Sequence, residues 1–262
     1  MFVINEVLSK KPDVFILTEF AITTNYTEII EQIVNNGYDF DVTKNSDCNS
    51  KQNEVLIAWK ENVFTVDKDE IKKAKAFETM PENLIVPLEW KKNKIIVVGL
   101  RIKLFGEDYD KRKKQFITMM KLIRDNFNDC QYLIVGGDFN NNRSDYAGHS
   151  WQNKWSLGVI DEIAKEYLFL RKTPDSSEGS SIYRKNQPIL FQEDHYLVSK
   201  GIKIDDIYYC RGFTKRNPDV YLHGEDFQVY NSQLRGVTWT IPHGSGVPDH
   251  AMLLADFDLL EK

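Results

Sequence analysis

The sequence predicts a layered α/β (α+β) protein. Short apolar runs rich in Val, Ile and Phe recur along it, stretches of helical spacing lie among them, and charged turns separate the two. The chain has 262 residues, enough for one large domain with its own core. It shows no internal repeat, low-complexity tract or interdomain linker, so one domain over residues 1–262 is the expectation.

Taken in order, Val3, Ile4, Val7 and Leu8 sit at helical spacing, and Lys-Lys-Pro ends that helix. VFILTEF reads as a buried strand with Glu19 near its far end. Tyr26 to Asn36 reads as a helix on Ile29, Ile30, Ile33 and Val34, closed by Gly37. YDFDVTK, NEVLIAWK and VFTVD look β-like. LIVPLEW and KIIVVGLRIK form an expected hairpin turning through Lys91 to Asn93. The longest helix is expected from Tyr109 to Phe127, with Phe116, Met119, Met120, Ile123 and Phe127 on one face. YLIVGG is a strand, Leu157 to Tyr167 a helix, and TPDSSEG (Thr173 to Gly179) a loop. Further strands are expected at SIYRK, HYLVSK, KIDDIYYC, VTWTI and AMLLADF.

Composition narrows the function classes. A net charge of −5 does not suit tight non-specific binding to a duplex. Cys48, Cys130 and Cys210 show no Cys-x-x-Cys or Cys/His spacing, which argues against a zinc site and for reduced thiols in a cytoplasmic protein. No apolar run approaches the length of a membrane span.

Four places put acids or histidine beside apolar strands: ILTEF (Glu19), VGGDFN (Asp138, Asn140), QEDHYLVS (Asp194, His195) and GVPDHAMLL (Asp249, His250). A carboxylate at a buried strand end is costly unless it is paired, hydrogen-bonded or on a metal. Singly, each has a plain reading: Asp138 as a turn cap, Glu19 as a surface strand end, Asp249 as a cap after Pro248, His250 as a satisfied histidine. Together they suit a different chemistry. Hard oxygen ligands on strand tips fit Mg²⁺ (or Mn²⁺), which keeps waters and substrate phosphate in its shell. An Asp beside an Asn suits orientation of an attacking water, and a His beside an acid suits an imidazole held near phosphate.

The ordered set of Glu19, GDFN, the Asp194 of DHYLVS, and Asp249-His250 before a final strand resembles the endonuclease/exonuclease/phosphatase superfamily, the deoxyribonuclease I-like proteins. The likeness spans Asp13 to Phe257. It implies a four-layer sandwich of two facing mixed β-sheets flanked by helices, with the site at one end. It implies that Glu19 ligates Mg²⁺, Asp138 activates or orients the water, and Asn140 holds Asp138 or a phosphate oxygen. It further implies that Asp194 pairs with His250, that His250 stabilises the pentacovalent phosphate, and that Asp249 contacts metal or water.

Family members open with a strand carrying an Asn, which the first residues here do not match, so an uncovered core edge is expected. Where many members have a His, this chain has Arg101, which suits a bidentate phosphate clamp. The Ser of the family's SDH motif is Pro248. The KRKK run, Lys111 to Lys114, reads as a solvated helix face. Strand alternation turns His195 away from Asp194, into a structural role. His149 and Arg143, in the loop after GDFN, are candidates for substrate contact, Trp151, Trp155 and Tyr146 read as packing residues, and His243 has no assignable role.

The expected function is a Mg²⁺-dependent phosphoesterase, a nuclease-like phosphodiesterase whose partner is a phosphate ester such as nucleic acid. The alternatives are a phosphomonoesterase or phospholipid-type hydrolase of the same fold, or a catalytically weak binding protein. An acid-rich structural domain is a further class. The sequence does not fix the oligomeric state.

Overall fold

A computed structural model describes residues 2–20, 25–43, 54–74, 79–104, 108–141, 154–174, 181–183, 189–210, 227–230, 238–241 and 250–261. Helix α1 (Phe2–Ser9) leads into β1 (Val14–Phe20), then α2 (Tyr26–Asn35), β2 (Tyr38–Val42) and β3 (Glu54–Lys60). Gly37 turns the chain out of α2 with a φ of 82°, a backbone that glycine adopts without steric cost. β1 and β2 both pair antiparallel with β3.

A larger sheet follows. It contains β4 (Thr65–Val66), β5 (Lys72–Ala74), β6 (Glu82–Trp90), β7 (Asn93–Arg101), β8 (Tyr132–Asp138), β9 (Phe169–Lys172) and, after two small strands, β12 (Asp194–Ser199). Its 7 strands run in the order β4-β6-β7-β8-β12-β9, with β5 also against β6. β7 and β8 are parallel, and helix α3 (Tyr109–Phe127) is their crossover. The hairpin between β6 and β7 is tighter than expected. Asn93 already pairs with Trp90, and only Lys91 and Lys92 turn, at φ of 49° and 69°. Two positive φ values match the twist that two-residue hairpin turns require.

Helix α4 (Leu157–Glu166) precedes β9. The strands β10 (Ser181–Tyr183) and β11 (Ile189–Phe191) pair with each other, as do β14 (Phe227–Tyr230) and β15 (Thr238–Ile241). β13 (Ile202–Cys210) pairs with the last strand, β16 (Met252–Leu259). The expectation passed over β5, β9, β11 and β14. Each is 3 or 4 residues long, too short for alternation to show.

Side-chain packing defines four layers. Phe116, Met119, Met120 and Ile123 of α3 and Ile160 of α4 pack on Val98, Leu133, Val135 and Leu197 of the large sheet. The opposite face of that sheet, through Leu84, Val86, Val97 and Val198, packs on Val55, Ile57 and Trp59 of β3, with Ile204 and Phe257 of β13 and β16. Outside these, Ile4 and Val7 of α1 and Ile33 of α2 pack on Phe15, Leu56 and Ala58. This is the α/β sandwich read from the sequence, with helices outside two facing β layers. The large sheet is mixed; the described strands of the facing layer pair antiparallel.

Among the described strands, β1 pairs only with β3 and β16 only with β13. A trench of about 680 Å³ runs between their free edges. Ile95, Val97, Ile134 and Tyr196 line it, and Asp194 and His250 stand among its walls.

Candidate active site

One end of the large sheet carries a row of charge. Register places Glu82 beside Arg101, Arg101 beside Asp138, and Asp138 beside Asp194, across β6, β7, β8 and β12. All four lie in phase with residues that face the second β layer: Leu84, Val97, Ile134 and Val198. Alternation puts an inward-facing apolar column on each strand and ends it in an ionisable residue.

Asp138 is 2% exposed. Its Oδ1 accepts the Asn140 backbone N–H at 2.8 Å and its Oδ2 accepts the Asn140 Nδ2 at 2.7 Å. The same amide donates to the Ile102 carbonyl at 2.8 Å. Burial pushes the Asp138 carboxyl well above the usual carboxylate range; the charges of Asp194 and Glu193 add to that, while His250 and Arg101 oppose it. Asn140 takes a φ of 43° to close this loop on Asp138.

His250 stands just before β16. Its Nδ1 lies 2.7 Å from Asp194 Oδ2, and its Nε2 lies 4.0 Å from Glu193 Oε2. Asp194 opens β12 directly across from Asp138, so the imidazole and the buried acid belong to one electrostatic cluster. Asp249 lies outside the described residues, as do His149, Arg143, Trp151, Tyr146 and His243.

Glu19 reaches the cluster through a backbone irregularity. Strict alternation would group it with Phe15, on the helix side of β1. The β1–β3 register shifts between Leu17 and Phe20, and Glu19 takes a φ of 56°. Such a bulge re-aims a side chain. Here the carboxylate turns to Arg101, whose Nε and Nη2 donate to Oε1 at 3.0 and 2.5 Å. Glu82 Oε2 lies 3.7 Å and Asp138 Oδ2 3.9 Å from the same guanidinium. The Arg101 side chain is 8% exposed. Its first partners are therefore these three acids, whose mutual repulsion it reduces.

His195, as alternation expects, faces away from this row. It is fully buried, with its ring 5.3 Å from that of Phe139. Thr173 Oγ1 accepts from Arg171 at 2.6 Å and lies 2.8 Å from His195 Nδ1. The ring's Nε2–H then donates to Asn141 Oδ1 at 2.8 Å, and Asn141 Nδ2 to the Gln192 carbonyl at 2.8 Å. Burial, followed by the charge of Arg171, lowers the His195 pKa from 6.5 to about 3. The unfolded ring takes a proton below pH 6.5, whereas the folded one resists it down to about 3. Stability from this neutral ring is therefore complete above pH 6.5 and is lost towards pH 3, at about 1.4 kcal/mol per pH unit. His195→Gln should flatten that acid limb, as read by urea melts at pH 4, 5, 6 and 7. An unchanged slope would refute the assignment.

Two more features correct or extend the sequence reading. Arg112, within the KRKK run, is not solvated: it is 6% exposed and donates to the Asn140 carbonyl at 2.8 Å. Its signal was present, since Arg112, Phe116, Met119 and Ile123 fall on one helical stripe. Glu193 and Glu82 were passed over because each lies beside a stronger motif or strand. Trp155 packs as expected; it is fully buried, donates to the Phe139 carbonyl at 2.9 Å and meets Phe116 edge-on.

No protein-family model matches the sequence, and no curated protein matches it significantly. Solved structures do match. A mannosyl-6-phosphatase of Bacteroides thetaiotaomicron is 11% identical, with a TM-score of 0.62 over 98% of this chain and 89% of its own. An endonuclease/exonuclease/phosphatase family protein of the same organism is 12% identical, with a TM-score of 0.63 over 97% and 86%. TDP2 of D. rerio, solved with a single-strand DNA product, is 12% identical, with a TM-score of 0.63 over 98% and 90%. These likenesses show the fold, an α/β sandwich of the endonuclease/exonuclease/phosphatase type.

Proposed function

We propose that this chain is a divalent-metal-dependent phosphoesterase, acting as a phosphodiesterase on a nucleic-acid-type phosphate ester. The observation that carries the reading is the His250–Asp194 pair at 2.7 Å, set against Asp138 with its two Asn140 donors. Fold likeness to a phosphatase and to a protein solved with DNA supports it at the level of class.

The donor chemistry fits Mg²⁺. The Glu19 side chain is 45% exposed, and both Arg101 bonds fall on Oε1, leaving Oε2 without a bond among the described residues. No cluster of three His, Cys, Asp or Glu that would enclose a metal occurs among the described residues. Mg²⁺ takes one or two carboxylates and fills its shell with water and phosphate oxygen. Glu19 would hold it, with Asp249 proposed as a second contact. When bound, it supplies charge stabilisation to the phosphate and its leaving oxygen.

The chain's own residues supply the rest. Asp138, as carboxylate, orients the attacking water and takes its proton as the new P–O bond forms. Asn140 fixes both carboxylate oxygens. His250, in its protonated form, faces the phosphate oxygens, while Asp194 holds the ring through Nδ1. Arg101 reduces the mutual repulsion of Glu19, Glu82 and Asp138 around the site. The bond to the leaving oxygen breaks as water enters opposite it.

A phosphomonoester fits the same machinery, and the likeness to a sugar phosphatase favours keeping it as the second reading. One panel separates them: single-stranded and duplex DNA, RNA, an abasic-site duplex, a generic diester and a monoester. Each is assayed with Mg²⁺, with Mn²⁺ and with chelator, for the wild type and for His250→Ala. The expected result is metal-dependent cleavage of a diester, reduced at least about 100-fold by His250→Ala. A folded wild type with no turnover on any member would overturn the reading.

A further inference from the structure

The first turns of α3 carry two buried polar residues, one helical turn apart, that reach both strands carrying the site. Arg112 Nη1 donates to the Asn140 carbonyl, just beyond β8. Gln115 is fully buried, and its Oε1 accepts the Lys103 N–H at 3.1 Å, just beyond β7. The two exits are also tied to each other: Ile102 N–H bonds the Asp138 carbonyl at 2.9 Å, and Asn140 Nδ2 bonds the Ile102 carbonyl.

We propose that Arg112 is a positioning residue that fixes the Asp138 carboxylate through Asn140, with Gln115 bracing the neighbouring strand exit. Asn140 is the only residue among those described that gives Asp138 side-chain hydrogen bonds, and it gives two. Its backbone sits in the left-handed region, which costs an L-residue free energy unless its surroundings hold it. Arg112 supplies that hold from the carbonyl side of the same residue. A guanidinium as buried as this one is retained only with compensation. Besides the Asn140 carbonyl it has the Tyr109 ring at 4.8 Å and the fields of Glu193 and Asp138.

Arg124 provides the control. It lies on the same helix, donates to the Tyr167 and Leu168 carbonyls, and covers the Phe169 ring at 4.4 Å. It makes the same kinds of contact, away from the charged row.

The experiment compares Arg112→Met, Arg112→Lys and Arg124→Met by kinetics and by hydrogen exchange. Its kinetic arm rests on the phosphoesterase reading. Arg112→Met should lower kcat on the order of 100-fold with KM within about threefold, because reacting groups are misplaced and binding is not removed. Arg112→Lys, which restores one donor, should recover part of that loss. Arg124→Met should lower thermal stability and leave kcat within about twofold. Exchange of the Asn140 amide, which is bonded to Asp138, should quicken in Arg112→Met while amides of Leu133 and Val135 stay protected. Equal losses of kcat in Arg112→Met and Arg124→Met, or unchanged Asn140 exchange in Arg112→Met, would overturn the proposal. A wild type without turnover would count against the phosphoesterase reading alone, and the exchange arm would still decide the brace.

Discussion

On the proposed phosphoesterase reading, Asp138→Asn is expected to cut kcat by about 1,000-fold or more. The substitution changes almost no volume, so the loss would be chemical. The carboxylate accepts two bonds, from the Asn140 backbone and from its side-chain amide. An amide there has one acceptor oxygen, and its NH₂ would oppose an existing donor. It also cannot take a proton from water. Folding is expected to survive, since the substitution removes a buried, mutually repelling carboxylate whose neighbours include Asp194 and Glu193. Single-turnover rates alongside thermal melts check both halves. A folded variant with near-wild-type kcat would remove Asp138 from the mechanism.

The second large effect concerns stability. Gly137→Ala is expected to destabilise the protein by about 3 kcal/mol or more. Gly137 has a φ of 143°, and a Cβ built there would lie 2.0 Å from the Leu100 carbonyl oxygen. That oxygen belongs to the backbone of β7, so no rotamer relieves the clash. The two strands would have to part where their parallel ladder delivers Arg101 and Asp138 side by side. Urea denaturation reads the change as a lower midpoint at similar slope. A shift below about 1 kcal/mol would mean that the β7–β8 ladder yields easily at its tip.

These two neighbours illustrate what was legible in the sequence. Two glycines before an acid announced a tight approach and a special tip, and both are realised at Gly137 and Asp138. His195 was readable because strand alternation sorts neighbours onto opposite faces, whereas Asp194 and His250 were found by motif. Glu19 was found by motif and not by pattern, since a bulge cancels the alternation that would have sent it to the helix side. Arg112 was misread for the opposite reason. The local run KRKK is charged throughout, and only the longer helical stripe shows that one member faces inward. Arg101 was legible as a cation at the site, but not as the residue shared among Glu19, Glu82 and Asp138. That depends on which strands become neighbours, and register is a property of the sheet.

The order of strands has a consequence for how activity first arises. The charged row is assembled from chain segments that meet late: the Arg101–Glu19 bond joins residues 82 apart in sequence, and the His250–Asp194 contact joins residues 56 apart. Every such closure must be met entropically before its contacts can return anything. During synthesis Glu19, Arg101 and Asp138 leave the ribosome well before His250 is made. A nascent chain therefore carries Asp138 before it carries His250, and on the proposed phosphoesterase reading hydrolysis requires that β16 has docked. On that reading, catalytic competence reports that β16 has found its place.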